Sequence, residues 1–249
     1  MQTMTIARRF RGPPNSGNGG YVCGMLARHI SGAAEVALRA PPPLEVELDV
    51  VEVEAGRWEL RQGTTTIAIG RAITLDVNRP EKATYDEAVE AEKRTPFKPH
   101  QHLLPMCFVC GPDRAAGDGL RLFAGPLARR GAVVFAVPWI PDASLAAADG
   151  LVGPEFVWSA LDCPTAYVCQ FDRETRGFTD IPLLLGTLSA RIERRPRPGE
   201  RCVVTSWQTG SQGRRLFGEA ALFSEEEGLL AVGRAIWVKV DRQVQLGKR

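Results

Sequence analysis

The feature that most constrains the fold is a tetrapeptide that occurs twice, each time inside a stretch with strand-like alternation. Gly-Arg-Ala-Ile stands at residues 70–73 and again at residues 233–236. Apolar side chains recur at every second position around both copies, which is the period of a strand with one buried face. Because a short identity can arise by chance, the interpretation as a repeated unit needs a second anchor.

An apolar helix predicted upstream of each strand supplies that anchor. One helix is predicted to begin at residues 18–20 and to run to about residue 30, and the other begins at residues 153–155. Asn or Gly at the cap, Pro at the first helical position and Glu beside the positive helix end are start signals. Each half is therefore expected to contain one apolar helix followed by alternating strands. The second half should carry roughly one extra hairpin between its helix and its Gly-Arg-Ala-Ile strand.

The amino-acid composition indicates which kinds of partner and which cellular compartment to expect. The 249 residues include 31 basic and 29 acidic side chains, so a formal net charge of +2 gives no indication of nucleic acid binding. No apolar run reaches the length of a membrane helix, and the N-terminus lacks the apolar core of a signal peptide. Six cysteines scattered through apolar segments favour a reducing compartment over a disulfide framework. We expect a cytoplasmic protein with no nucleic acid or membrane partner.

The chain is predicted to divide into two halves and a connector. The first half spans residues 1–80, and the second spans residues 106–249. Residues 81–105 are charged and contain prolines, so they are predicted to be a linker with one short helix near residues 85–94. The predicted strands are 44–53, 57–62 and 65–77 in the first half, and 132–138, 183–194, 201–209, 214–223 and 229–240 in the second.

This order of elements resembles the hotdog fold in its tandem form. The expected class is α+β, a double hotdog with two antiparallel sheets, each wrapped around a long central helix. The second half resembles hotdog-fold acyl-CoA thioesterases, and the first half looks like a degenerate copy of the same unit. The segments that carry the resemblance are 160–162, 186–190, 197–200, 213–215 and 230–233 in the second half, and 18–21 and 67–75 in the first.

The resemblance implies a site built from two parts. In such thioesterases a glycine turn begins the central helix, where free N–H groups can stabilise an oxyanion, and an acid follows about two and a half turns later. The first half has the turn, Asn18-Gly19-Gly20, but Ala27 stands at its acid position. The second half has the acid, Asp162, but lacks the glycine turn. Side-by-side central helices would therefore make one composite site from Asn18, Gly19, Gly20 and Asp162.

Asp162 also stands out on physical grounds. It lies within the most apolar helical segment of the chain, where an unpaired charge is costly and burial raises the pKa of a carboxyl group. The functional interpretation is a carboxylate that activates water. The alternative is a carboxylate that caps an irregular helix end, beside Pro164, or that pairs with an arginine.

Five further residues are predicted to bind substrate. Tyr21 would line the acyl groove and Thr165 would position the water, although a core tyrosine and a satisfied helical threonine are the alternatives. Arg194, Arg195 and Arg215 would meet the phosphates of CoA, or would belong to a solvated turn. Asn18 would hydrogen-bond the thioester or simply cap its helix.

Cysteine and histidine supply a competing signal for a metal site. Cys107 and Cys110 form a Cys-x-x-Cys pair, and His100 and His102 precede them. The histidine spacing is poor for a zinc finger and Pro105 intervenes, so buried thiols are the default expectation and no metal or cofactor is predicted. A P-loop and a Gly-x-Ser-x-Gly elbow are both absent from the sequence, which disfavours ATP use and serine hydrolase chemistry.

The predicted function is hydrolysis of an acyl thioester by an Asp162-activated water. A non-catalytic protein that binds acyl thioesters or hydrophobic ligands is the alternative, because fold does not fix function. Hydration or dehydration of an enoyl thioester is a third possibility, without a histidine placed for it. The sequence leaves the acyl chain open, and it leaves open whether double-hotdog chains form a homodimer.

Overall fold

The computed structural model describes residues 2–96, 102–128, 133–172, 175 and 177–247. The α-helices in these residues are α1 Gly19–Ala27, α2 Tyr85–Glu92, α3 Pro154–Ala160, α4 Cys163–Cys169 and α5 Arg242–Gln245. The strands are β1 Gln2–Thr5, β2 Ala34–Leu38, β3 Glu47–Glu54, β4 Arg57–Gln62, β5 Thr65–Ala72, β6 Gly125–Pro126, β7 Val134–Trp139, β8 Phe171–Asp172, β9 Gly177–Phe178, β10 Leu183–Ile192, β11 Cys202–Gln212, β12 Arg215–Ser224 and β13 Gly228–Lys239.

The strands form one continuous antiparallel sheet of eleven strands. Its order is β1-β3-β4-β5-β2-β10-β13-β12-β11-β7-β6, and β8 and β9 form a separate small hairpin. The two halves of the chain meet at the β2–β10 pair, where residues 34–37 face residues 187–190. The expectation of two separate sheets is corrected here, because hydrogen bonds across this pair make a single sheet.

The sheet has the same strand order on the two sides of the β2–β10 pair. Outward from the centre, the first side runs β2-β5-β4-β3-β1. The second runs β10-β13-β12-β11-β7 and carries the two-residue strand β6 beyond β7. On each side a helix precedes the innermost strand in the chain. The fifth strand from the centre, β1 or β7, precedes that helix. The hairpin β8–β9 lies between helix and first strand in the second half only, which is where an extra hairpin was expected.

Both Gly-Arg-Ala-Ile glycines lie beneath a helix of their own half. A Cβ atom at Gly70 would be 2.9 Å from Ile30 Cδ1, and one at Gly233 would be 3.2 Å from Leu161 Cδ1. The arginine that follows each glycine makes a cross-strand ion pair, Arg71 with Glu35 at 2.7 Å and Arg234 with Glu219 at 2.8 Å. The alternation seen in the sequence therefore separates a helix-facing side of the sheet from a side with charged pairs.

The expectation of one long central helix in each half is wrong. In the first half α1 has nine residues, and in the second half two helices of seven residues, α3 and α4, replace one long helix. The break falls at Asp162, whose φ of −79° and ψ of −88° are not helical. Pro164 explains the break, since it has no N–H to donate to the carbonyl of Ala160 and its ring would clash with that carbonyl.

The sequence analysis missed strand β2. Most ends of the longer strands lie within two or three residues of their predicted positions. Strand β5 is an exception, because it ends five residues before the predicted end. The linker helix α2 is present and begins with a capping box made by Thr84 and Glu87. None of the helices in the described residues has the length and apolar content that crossing a membrane requires.

Candidate active site

Helices α1 and α3 cross at very short distance because glycines of α1 face the second half. A Cβ atom at Gly20 would lie 2.5 Å from Asp162 Cβ, and one at Gly24 would lie 2.6 Å from Glu155 Cα. Either contact is closer than real Cβ atoms approach, so only glycine permits this packing. The glycine turn of the first half is thus brought directly against Asp162 of the second half.

The carboxylate of Asp162 is held by the start of α1. Its Oδ2 accepts a hydrogen bond from Asn18 Nδ2 at 2.9 Å and another from the Gly20 N–H at 3.1 Å. Asn18 also caps the helix, because its Oδ1 accepts from the Tyr21 N–H at 2.9 Å. Asn18 therefore combines the two alternatives weighed from sequence, a helix cap and a polar group at the site.

The second oxygen of Asp162 has no such support. Asp162 is 1% exposed, and its buried Oδ1 has no hydrogen-bond partner among the residues described. A buried carboxylate oxygen without a partner is uncommon, because desolvation is then uncompensated. The alternative that Asp162 pairs with an arginine or caps α4 receives no support, since its side chain makes no capping hydrogen bond.

Burial governs the ionisation of Asp162. The pKa of this carboxyl group is raised to about 7, first by desolvation and then by negative charge on the nearby Cys107 sulfur. Hydrogen bonds from Gly20 and Asn18 act in the opposite direction and limit the rise. A pKa near neutrality suits a group that both accepts and returns a proton.

The two donors expected to face a thioester carbonyl instead face Asp162. The N–H of Gly20 and the amide of Asn18 are both occupied by Oδ2. Gly19 is the first residue of α1, so its N–H has no partner within the helix. Of the predicted oxyanion donors, Gly19 is the one whose N–H is not engaged by the carboxylate.

Asp162, Asn18 and Gly19 line a cavity of about 780 Å³. This volume lies in the range of small-molecule sites. The wall is largely apolar, with a few polar and sulfur-containing side chains. Its members include Leu38, Pro41, Pro42, Leu104, Leu184, Leu185, Trp237 and Val238, together with His102, Cys107, Cys110, Cys163, Tyr167 and Gln170.

The other predicted site residues are more dispersed. Tyr21 is buried in an aromatic cluster and stacks on Phe10 with ring centroids 4.1 Å apart, away from the cavity wall formed by the described residues. Thr165 donates to the Asp162 carbonyl oxygen at 2.6 Å and accepts from Trp237 Nε1 at 2.8 Å. It therefore matches the alternative of a satisfied helical threonine.

The predicted phosphate-binding arginines fall into two groups. Arg194 forms ion pairs with Glu200 and Glu227, and Arg195 pairs with Asp149, at the end of β10 that lies far from the cavity-lining residues 183–186. Arg215 lies opposite Val238, which lines the cavity. Only Arg215 of the three is therefore near the cavity.

Sequence reasoning missed that Cys163 joins Cys107 and Cys110. The three sulfur atoms lie within 4.8 Å of one another, and all three cysteines are buried. The position of Cys163 directly after Asp162 was visible in the sequence, but no spacing rule links it to residues 107–110. No histidine was expected at the site, yet His102 lines the cavity and its Nε2 lies 3.5 Å from Tyr167 Oη. His100 lies outside the described residues.

Comparison with solved structures identifies the fold. The chain superimposes on the tesB protein of Mycobacterium avium subspecies paratuberculosis with a TM-score of 0.59 and 12% identity, over 90% of this chain and 88% of that one. An acyl-CoA thioesterase II of Mycobacterium marinum gives 0.58 and 12%, over 96% and 92%. A hot dog fold protein of unknown function from Alicyclobacillus acidocaldarius gives 0.59 and 10%, over 96% and 92%.

Sequence comparison adds no family. No protein-family model matches the chain, and no curated protein matches it either. The structural likeness nevertheless covers 88–92% of each of these three chains. The chain therefore has the tandem hotdog fold, as its sequence pattern predicted.

Proposed function

We propose that this protein hydrolyses an acyl thioester of the acyl-CoA type, with Asp162 as the group that activates water. The observation that carries the proposal is the asymmetric carboxylate at the cavity wall. One oxygen is fixed by Asn18 and Gly20, and the other has no partner within the described part of the chain. An anchored carboxylate whose second oxygen is not engaged by a protein donor is the arrangement that a general base needs to orient a water molecule.

In the proposed reaction Oδ1 accepts a proton from water while the water oxygen attacks the thioester carbonyl carbon. The bond between carbonyl carbon and sulfur then breaks, and the departing sulfur takes the proton from the Asp162 carboxyl group. The products are a carboxylic acid and a free thiol. The N–H of Gly19, at the start of α1, is the proposed donor to the oxyanion.

The cavity supports an acyl group of moderate size in this scheme. Apolar side chains such as Leu185 and Trp237 would cover the acyl chain, and the volume of about 780 Å³ accommodates one. Arg215 is the proposed contact for phosphate, because it lies beside the cavity-lining strand β13. Arg194 and Arg195 are not retained in this role, since carboxylates already pair with them. Among the structural neighbours, one is described as an acyl-CoA thioesterase II.

A specific observation favours a second candidate, a protein that binds acyl thioesters without turning them over. The donors at Gly20 and Asn18 are occupied by Asp162, so they are not available to a carbonyl oxygen in this conformation. A ligand-binding protein would keep the cavity and lose the chemistry.

The deciding experiment compares the natural chain with Asp162→Asn, which preserves shape and removes the base. We expect thiol release from a panel of short, aromatic and long-chain acyl-CoAs to fall by about 10²–10⁴-fold in the variant. Thr165→Ser is the matched control, because Ser keeps the hydroxyl that donates to the Asp162 carbonyl oxygen, and it should retain activity.

Binding is measured on the same proteins by calorimetry with acyl-CoA. Binding without thiol release in the natural chain would reject the hydrolase and support the ligand-binding candidate. Equal turnover by the natural chain and by Asp162→Asn would reject the role of Asp162.

A further inference from the structure

We propose that Cys107, Cys110 and Cys163 bind a divalent metal ion of the zinc type in the wall of the cavity. The proposal is independent of the thioester chemistry, because it rests on three thiols that the proposed reaction does not use. It also differs from the metal site weighed from sequence, which combined the Cys-x-x-Cys pair with upstream histidines and lacked Cys163.

The distances between the sulfur atoms suit one metal ion. All three lie within 4.8 Å of one another, and Cys107 Sγ is 3.8 Å from Cys163 Sγ. Tetrahedral coordination with Zn–S bonds of about 2.3 Å separates the sulfur atoms by about 3.8 Å. One pair therefore already has the required separation, and the others need to close by an ångström or less.

The turn that carries Cys107 and Cys110 closes around the Cys107 carbonyl oxygen. The Gly111 N–H donates to the Cys107 carbonyl oxygen at 2.8 Å, and a Cβ atom at Gly111 would lie 2.5 Å from that oxygen. Only glycine at this position lets the turn close so tightly. The sequence Cys-x-x-Cys-Gly thus adopts a compact knuckle with both sulfur atoms on one side.

Polar atoms converge on the Cys107 sulfur. Asn18 Nδ2 and Cys163 Sγ each lie 3.8 Å from Cys107 Sγ. Cysteine binds metal through its sulfur atom, so a sulfur directed into such a cluster is placed to act as a ligand. Purely structural buried cysteines, the alternative, act as small apolar groups and do not need donors directed at sulfur.

Side chains around the cluster also orient the sulfur atoms. Tyr167 makes a side-chain hydrogen bond with Cys110, and its hydroxyl lies 3.5 Å from His102 Nε2. Partners that orient ligands in this way are a regular feature of protein metal sites. His102 Nδ1 accepts from the Leu104 N–H at 3.0 Å, so the ring is fixed beside the cluster.

A fourth ligand would come from the cavity. The three cysteines all line it, so the remaining tetrahedral position is accessible to water or to a small ligand. Three protein ligands with one exchangeable position is the arrangement found in zinc sites that are not purely structural.

Metal content and spectroscopy of the full chain test this proposal. We expect about one zinc ion per chain by elemental analysis after growth with zinc, or after loading of the chelated protein with zinc. Replacement of zinc by Co²⁺ should give the intense thiolate-to-metal absorption of a sulfur-coordinated ion. Cys163→Ser and Cys110→Ser should reduce the zinc content at least about tenfold at equal free zinc.

Cys169→Ser and Cys202→Ser are the matched controls, because both cysteines are buried but lie outside the cluster. They should retain the metal. If the ligand variants do not fold, thiol titration of the natural chain under native conditions, before and after chelation, replaces them. Bound zinc is expected to slow the reaction of the three cluster thiols.

A natural chain that takes up no zinc in either preparation, or a Co²⁺ complex without thiolate absorption, would overturn the proposal. So would full zinc content in both Cys163→Ser and Cys110→Ser. None of these results bears on the role of Asp162, which is tested by thiol release from Asp162→Asn.

Discussion

At the scale of single residues, Asp162 and Gly20 depend on each other although 142 positions separate them. The carboxylate needs the N–H of Gly20, and the absence of a side chain at Gly20 gives the carboxylate its space. Asn18 completes the pair by donating to the same oxygen while it caps α1. The composite geometry therefore lies in a contact between halves and not within one helix.

Gly20→Ala tests this contact. The added methyl group would lie 2.5 Å from Asp162 Cβ and 3.0 Å from Ser159 Cα, so the helices must separate. The gain in helix propensity, about 1 kcal/mol, is smaller than the strain, and we expect a net loss of about 1–3 kcal/mol in the free energy of unfolding. Denaturant titration measures this loss.

The control is Gly210→Ala, where the nearest atom to a new Cβ is 3.7 Å away and the stability should change by less than about 0.5 kcal/mol. Equal stability of Gly20→Ala and the natural chain would show that α1 and α3 are not in close contact in solution.

At the scale of elements, the turn between β10 and β11 is held by Glu200. Its carboxylate accepts from Arg194 Nη2 at 2.5 Å and from the Arg197 N–H at 2.8 Å. Burial alone would raise the pKa of Glu200, but these hydrogen bonds lower it to about 2, from an ordinary value of 4.5. Arg194, which was predicted to bind phosphate, thus stabilises the turn.

Glu200→Gln should therefore destabilise the protein in a pH-dependent way. Because the folded-state pKa lies below the unfolded one, the stabilisation by Glu200 is complete above about pH 4.5 and declines as the pH falls towards 2. We expect the melting temperature of the variant to be lower by about 2–4 °C at pH 7, with a smaller difference at pH 3.

Glu226→Gln, a change at an exposed carboxylate in the turn between β12 and β13, serves as the control for Glu200→Gln. A difference for Glu200→Gln that is as large at pH 3 as at pH 7 would contradict the assigned ion pair.

The elements also show why some features were predictable and others were not. Long strands such as β12 and β13 were located because their apolar pattern extends over ten or more residues. The five-residue strand β2 is too short for a periodic signal, and its place in the sheet comes from pairing with β5 and β10. The length of the apolar pattern therefore determined which strands could be predicted from the sequence.

The contacts of the candidate site also include some that were predictable and some that were not. The proximity of Asn18, Gly20 and Asp162 was expected only through resemblance to the tandem hotdog fold, since no local spacing joins residues of the two halves. Cys163 could not be joined to Cys107 and Cys110, because the contact depends on how α4 begins after the break at Asp162. Local rules predict elements, whereas contacts between distant elements require the fold.

At the scale of the whole molecule, the chain should unfold as one unit. The halves share the β2–β10 ladder, and α1 packs on α3 without room for a side chain at Gly20 or Gly24. Neither half can open without exposing the buried face of the other. We expect a single cooperative transition in guanidinium chloride.

Two spectroscopic probes that report on different parts of the chain can test for a single unfolding transition. Four of the five tryptophans lie in the second half, at positions 139, 158, 207 and 237, so tryptophan fluorescence reports mainly on that half. Far-UV circular dichroism reports on strands throughout. Coincident midpoints are expected, and two separate transitions would show that the halves are independent domains. The possible homodimer remains a prediction, for which sedimentation at several concentrations is the direct measurement.

The matching strand order on the two sides of the β2–β10 pair has a practical consequence for mutational work. Gly70 and Gly233 occupy corresponding strands under different helices, and an arginine follows each of them. Arg71 pairs with Glu35 on the inner neighbouring strand β2, whereas Arg234 pairs with Glu219 on the outer neighbouring strand β12. The same substitution can therefore be made at either member of a pair and compared inside one polypeptide, with solvent, temperature and concentration held identical. Each such pair calibrates how far local surroundings, rather than residue type, determine the effect of a mutation.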